Sequence, residues 1–446
     1  MDAVRHGTEA GEEEDRGGSR REIIRWMQDR VLHAFAGMNG QSHRQEEAVM
    51  KKKQKLVLLS ITAASLALPV SSHAQEAIKF GMVTSLTGPF TPWGGQVRDG
   101  MKMAIQEIND AGGVLGRKME LVERDDKNNP TEGVTALRYL VEREGVVAAG
   151  GVISSDVGLA LAREAESLRT PFFLTMSGAN EALKKSSRYT FRTCLPPASE
   201  GISAVANFIK EKKYTRVGAL MADYAWGHSN QRAIEKEIKP LSGINLQLEV
   251  APVREADFTP YLRKLQALDP QVIVAHGHPP GNPTITRQAA ELGMKALVIG
   301  SWYPTSDFIV QKTGDALYGR FADFTCVDFE SPAYKELAAK YNKQYKSVLD
   351  IASFSGYVMV KMVANAIQKT KSTDHKAIAD AVRAGTFEQP GYGWKLSYTE
   401  WGEMKEAAPI LYVYEQGDPG AVNAGGKWRT KVIFRSPPVQ PYVPQD

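Results

Sequence analysis

Gly150-Gly151-Val152-Ile153-Ser154-Ser155-Asp156 stands where a short apolar run meets an amphipathic helical stretch. Hydroxyls and the free backbone N–H groups of a helix start, brought together behind a glycine turn, make a natural anion site. The same residues have a plainer use, because Ser154, Ser155 or Asp156 can cap the helix, and capping is compatible with ligand contact. Trp93-Gly94 and Trp226-Gly227 each place a large aromatic before glycine in a strand-exit loop, a poor setting for a core residue. His276-Gly277-His278 puts two imidazoles on one side of an extended strand. A metal can use that spacing, but no Cys or carboxylate cluster lies beside it, which argues against metal. Gly112-Gly113-Val114-Leu115-Gly116 follows no strand and lacks dinucleotide-loop spacing, so it reads as a helix C-cap and turn. Phosphate-binding loops, nucleophile elbows and zinc signatures are also missing. None of these patterns supplies the reactive groups an enzyme needs, and none calls for a cofactor.

These residues sit on a regular alternation of strands and helices. Strands are expected at Ile78–Val83, Met119–Glu123, Val146–Gly150 and Pro171–Thr175, with amphipathic helices between them, including one over Asp156–Leu168. After Pro196-Pro197 the rhythm restarts, with strands at Arg216–Met221, Leu246–Val250, Val272–Ala275 and Ala296–Ile299. Beyond Cys326, helices are expected at Pro332–Lys346, Ser353–Lys369 and Asp374–Ala384, followed by strand and loop rich in Pro, Gly and aromatics. Two successive sets of this kind imply two α/β lobes, each a mainly parallel sheet flanked by helices.

Composition agrees with a globular chain: 446 residues, 43% hydrophobic, 24% charged, with a formal charge of only +4. No basic stripe interleaves with aromatics, so nucleic acid is not an expected partner. Met50-Lys51-Lys52-Lys53-Gln54-Lys55, the apolar run Leu56–Val70 and the exit Ser72-His73-Ala74 together read as a secretory signal. The run is shorter than the roughly 20 apolar residues a membrane span needs. Residues 50–74 are thus expected to be removed by cleavage after Ala74, and no Cys stands there to take a lipid. Residues 1–49, charged and mostly aperiodic, are expected to be an over-extended gene start, with a disordered arm as the alternative. Only Cys194 and Cys326 are available for a disulfide in an oxidising compartment.

Several segments also carry a likeness. They are Ser85-Leu86-Thr87-Gly88-Pro89 with Trp93-Gly94, and Ile108-Asn109-Asp110-Ala111-Gly112-Gly113-Val114-Leu115-Gly116. Asp125-Asp126 before Asn129-Pro130, and Arg287-Gln288-Ala289 before Leu292-Gly293, complete the set. In this order, from about Ala77 to beyond Trp401, they resemble the type I periplasmic binding proteins, in the leucine/isoleucine/valine-binding branch of importer components. The resemblance implies two α/β lobes joined by three crossings at a hinge, with ligand caught between them. One lobe would be residues 77–193 plus 328–395, the other 194–327 plus 396–446.

The resemblance further implies that Ser154 and the turn Ser177-Gly178-Ala179-Asn180 hold a ligand carboxylate. Trp93, Trp226 and His278 stand where the family usually has Tyr on the cleft walls. Trp302 stands where amino-acid-binding relatives carry the Glu that pairs with the ligand's ammonium. A buried ammonium without a carboxylate partner is costly. The expected ligand is therefore an aromatic or otherwise apolar carboxylate, with a quaternary ammonium as runner-up. A branched-chain amino acid would need another acid. By the same resemblance the chain would be a monomeric component of an ABC importer, with membrane permease subunits as partners; a sensory ligand-binding module is the rival. The family's geometry also runs Cys194 and Cys326 close together near the hinge, which implies a disulfide, two buried free thiols being the alternative.

Overall fold

The computed structural model describes residues 76–300 and 307–445. The extension (1–49), the signal segment (50–74, with its cleavage after Ala74) and Trp302 lie outside the described residues.

Short apolar strands, each leading into an amphipathic helix, give two sheets in succession. The first set is β1 (Ile78–Thr84), α1 (Thr91–Asp110), β2 (Met119–Asp125), α2 (Pro130–Glu142), β3 (Ala148–Gly150), α3 (Ser155–Leu168), β4 (Phe172–Leu174) and β5 (Thr190–Arg192). The second is α4 (Ala198–Lys212), β6 (Arg216–Ala222), α5 (Ala225–Glu237), β7 (Asn245–Ala251), α6 (Thr259–Gln266), β8 (Val272–Val274), α7 (Asn282–Glu291), β9 (Leu297–Ile299), α8 (Asp307–Thr313) and β10 (Phe321–Thr325). Then come α9 (Pro332–Tyr345), α10 (Ile351–Thr370), α11 (His375–Ala384), the short pair β11 (Thr386–Phe387) and β12 (Leu396–Ser397), and the hairpin β13 (Ile410–Gln416) and β14 (Trp428–Arg435).

The first sheet has the order β2-β1-β3-β4-β5 and is parallel throughout. The second has the order β14-β13-β10-β9-β8-β6-β7, parallel except where β13 joins β10 and β14. Strands buried on both faces, such as Phe80-Gly81-Met82-Val83 in β1, belong to parallel sheets covered on both sides. In each sheet one strand, β1 or β6, has its two sequence successors on opposite sides. That reversal opens a crevice at the carboxyl ends of the strands, the usual place for a ligand in open α/β sheets.

Helix α10 returns the chain to the first lobe and crosses α1 at backbone contact. A Cβ on Gly100 would lie 1.8 Å from Ser353 O, and one on Gly356 would lie 2.3 Å from Val97 O. Its N-terminus is capped by Asp350, whose Oδ1 accepts from Ser353 N at 2.9 Å, satisfying a first-turn donor. Cys194 and Cys326, just past β5 and β10, are joined in a disulfide with Cα atoms 5.4 Å apart.

One boundary differs from expectation. Residues 396–404, assigned from sequence to the second lobe, lie against β5 of the first sheet. Arg192 N donates to Gly402 O at 3.2 Å, and Tyr398 OH donates to Arg192 O at 2.7 Å. Tyr398 also packs on Phe191, with ring centroids 5.3 Å apart. A buried tyrosine and the buried Glu403 find their partners at β5, and the second sheet is rejoined only at β13.

Candidate ligand site

The crevices of the two sheets face one another and share a single lining. Phe90 and Trp93 follow β1, Ile153 and Ser155 follow β3, and Met176 follows β4. Leu195 lies on the crossing after β5; Tyr224 and Trp226 follow β6, and Pro279 follows β8. Together they border about 320 Å³ of space free of protein atoms, part of it open to solvent.

The lobes meet across this space. The indole of Trp226 lies on the bare face of Gly178, where a Cβ would come within 2.1 Å of Cζ3. Its Nε1 donates to His276 O at 2.9 Å, so the ring is fixed from its own lobe while it covers the other. Phe90 and Tyr224 approach from opposite sides, with centroids 6.2 Å apart, and Phe90 meets Trp93 edge-on at 5.8 Å. Burial, with the charge of Asp156 second, pushes the Tyr224 hydroxyl well above its ordinary value, so it stays a neutral donor. At the rim Glu181 reaches α5, accepting from Ser229 Oγ at 2.9 Å and from Arg232.

Of the residues singled out in the sequence, Trp93 and Trp226 line the cleft. Ser154 is the N-cap of α3, but its hydroxyl makes no capping bond, so the first-turn N–H groups of that helix have no side-chain cap. Its neighbour Ser155 is the lining residue, and Ser155 Oγ accepts from Gly178 N (3.2 Å) and Ala179 N (3.3 Å), tying helix and turn together. Ser177 turns its hydroxyl towards Gly158 of α3, leaving Met176 to face the cleft. Ala179 is buried, with its N–H on Ser155. Asn180 Oδ1 accepts from Ser199 N and Ser199 Oγ, both at 3.1 Å.

His278 does not line the cleft as expected. Its Nε2 lies 3.0 Å from Pro252 O, and its Nδ1 accepts from Gly281 N at 3.2 Å. The ring is taken up by the backbone of its own lobe, and Pro279 takes the wall position. His276 is also buried, with Nδ1 2.7 Å from Asn230 Oδ1. Burial lowers His276 to about 3 and His278 to about 4, so both are neutral at ordinary pH. Among the described residues no three His, Cys, Asp or Glu side chains gather as a metal site, and no helix is long and apolar enough to cross a membrane.

Sequence reasoning missed Phe90, Met176, Leu195, Tyr224 and Pro279 as lining residues, and it missed Arg192 behind them. Phe90 and Tyr224 had a usable signal, each standing two or three residues ahead of a tryptophan that begins a helix.

Two mainly parallel α/β lobes with a cleft between them define a type I periplasmic binding fold. The chain belongs to the periplasmic binding protein family, whose model matches residues 77–418. A leucine-, isoleucine-, valine-, threonine- and alanine-binding protein of Pseudomonas aeruginosa is 28% identical over 373 residues, covering 82% of this chain and 98% of that protein. A leucine-binding protein of Thermotoga maritima superposes with a TM-score of 0.68 at 21% identity, over 81% of this chain and 99% of that one. A solute-binding protein of an ABC transporter from Rhodopseudomonas palustris, in complex with 3,4-dihydroxybenzoic acid, gives 0.69 at 21% identity, over 82% and 98%.

Proposed function

We propose that this chain is the periplasmic solute-binding component of an ABC importer, and that it closes its lobes around a small aromatic or apolar carboxylate. It would act as a monomer that hands the ligand to membrane permease subunits. Family membership supports the transport role. The ligand class rests on one observation: the described lining of the cleft is aromatic and aliphatic apart from Ser155 and the Tyr224 hydroxyl, and none of it is acidic. Such walls favour a flat apolar body, and an α-ammonium would have no carboxylate partner among them. The uncapped first turn of α3 supplies N–H groups and a favourable dipole for a carboxylate. The Rhodopseudomonas palustris protein offers a precedent in the same fold for an aromatic acid.

The second reading is a branched-chain amino acid, favoured by the name of the Pseudomonas aeruginosa relative. It requires an acid that the described lining does not supply. Native mass spectrometry of gently purified protein separates the two. An aromatic or apolar carboxylic acid mass supports the proposal, and a co-purified leucine, isoleucine or valine mass contradicts it.

A further inference from the structure

Behind the cleft, Arg192 closes β5 with a side chain that is fully buried. Its guanidinium is divided among three acceptors. Nη1 donates to Ser177 O and Nη2 to Ala179 O, both at 2.7 Å, while Nε donates to Glu403 Oε2 at 2.8 Å. The two carbonyls flank Gly178, the residue on which Trp226 of the other lobe rests. The carbonyl between them, Gly178 O, accepts from Ala198 N at 2.9 Å. Residues on either side of the first crossing, Arg192 before it and Ala198 after it, thus hold all three carbonyls of the turn. Through Glu403, and through the backbone bonds to Gly402 and Tyr398, Arg192 is also fastened to the segment leading into the last crossing.

We propose that Arg192 is a positioning residue that holds the ligand turn through the carbonyls of Ser177 and Ala179, fixing Gly178 for closure by Trp226. The proposal rests on the reading of the cleft as a ligand site, but not on which ligand it takes. A planar fork can bridge two carbonyls and a carboxylate at once. A lysine ammonium keeps the charge but cannot span all three.

Arg192→Lys is therefore the informative variant, with Glu403→Gln as its control. Glu403→Gln removes the buried ion pair, yet leaves the fork on Ser177 O and Ala179 O. Wild type and both variants are stripped of ligand by unfolding and refolding. Each is then titrated with benzoate and, separately, with leucine, and its melting temperature is recorded. Arg192→Lys should weaken whichever probe the wild type binds by tenfold or more, and should lose the tryptophan fluorescence change that reports closure. Glu403→Gln should lower the melting temperature at least as much, while holding affinity within about threefold. Equal affinity losses in the two variants, or a folded Arg192→Lys within twofold of wild type, would overturn the proposal. Hydrogen exchange over residues 176–181 gives a ligand-free readout. The Gly178 and Ala179 amides should exchange at least tenfold faster in Arg192→Lys, and unchanged exchange there would equally overturn it. Should the wild type bind leucine and not benzoate, the ligand class proposed above fails, and the Arg192 comparison still proceeds with leucine.

Discussion

The closed cleft depends on an absence: Gly178 has no side chain where Trp226 lies. Gly178→Ala would drive a methyl into an indole that is hydrogen-bonded in place, and only parting of the lobes relieves the clash. The expected result is a ligand affinity at least tenfold lower, about 1.4 kcal/mol, with the ligand-free melting temperature nearly unchanged; titration and a melting curve on one sample check both. Two buried histidines, His276 beside Trp226 and His278 against Phe258, make a second, pH-dependent prediction. The folded state holds His276 and His278 neutral down to about 3 and about 4, whereas the unfolded chain takes up these protons near 6.5. Between those values the unfolded state binds more protons, so stability is complete above pH 6.5 and is lost as pH falls through that window. Each histidine contributes up to about 1.4 kcal/mol per pH unit. Urea unfolding at pH 7, 6 and 5 should show this slope, and His276→Gln, able to keep the bond to Asn230, should flatten it; an unaltered slope contradicts the assignment. Trp93 and Trp226 were singled out as loop aromatics, but each stands in the first turn of a helix, α1 or α5, and is only 3% exposed. They border the cleft from within the core that the sequence reading denied them. Arg192 was not singled out, because a lone arginine beside the Pro196-Pro197 break carries no motif. Its carbonyl partners, Ser177 and Ala179, lie in the preceding loop and offer only backbone atoms, while Glu403 is 211 residues away in sequence.

At the scale of elements, eight of the parallel strands were readable to within about two residues, whereas β5 and β10 were not read as strands at all. Parallel strands buried on both faces leave continuous apolar runs, while the Asp350 cap went unread and α10 was expected to start at Ser353, two residues late. The path of residues 396–404 was not readable. A short strand, one tyrosine and one glutamate carry no periodicity, and only the three-dimensional neighbours of β5 show where they belong. The crossing of α1 and α10 was also silent in sequence, since Gly100 and Gly356 lie far apart and signal nothing singly. Gly100→Ala sets a methyl against the Ser353 carbonyl and must push the helices apart. Overpacking of this kind should cost about 2 kcal/mol or more, read as a lower urea midpoint. A midpoint equal to wild type would show that the crossing is looser than described.

For the whole molecule, the two lobes meet at a hinge where the Cys194–Cys326 disulfide joins two of the crossings across 132 residues of chain. Closing a loop of that length stabilises by about 4–5 kcal/mol, largely by restricting the unfolded chain. Replacing both cysteines by serine should therefore lower the unfolding midpoint clearly, yet leave ligand affinity within a few-fold, because neither cysteine lines the cleft. Thiol labelling of denatured, unreduced protein should find no free cysteine, and two labels would refute the bond. The ligand itself is decided by calorimetric titration of ligand-stripped protein with benzoate and with leucine, before and after Trp302→Glu. An aromatic-carboxylate binder should bind benzoate more tightly than leucine and lose benzoate affinity in the variant, where a carboxylate replaces an apolar group. Tight binding of leucine alone, unchanged by Trp302→Glu, would contradict it.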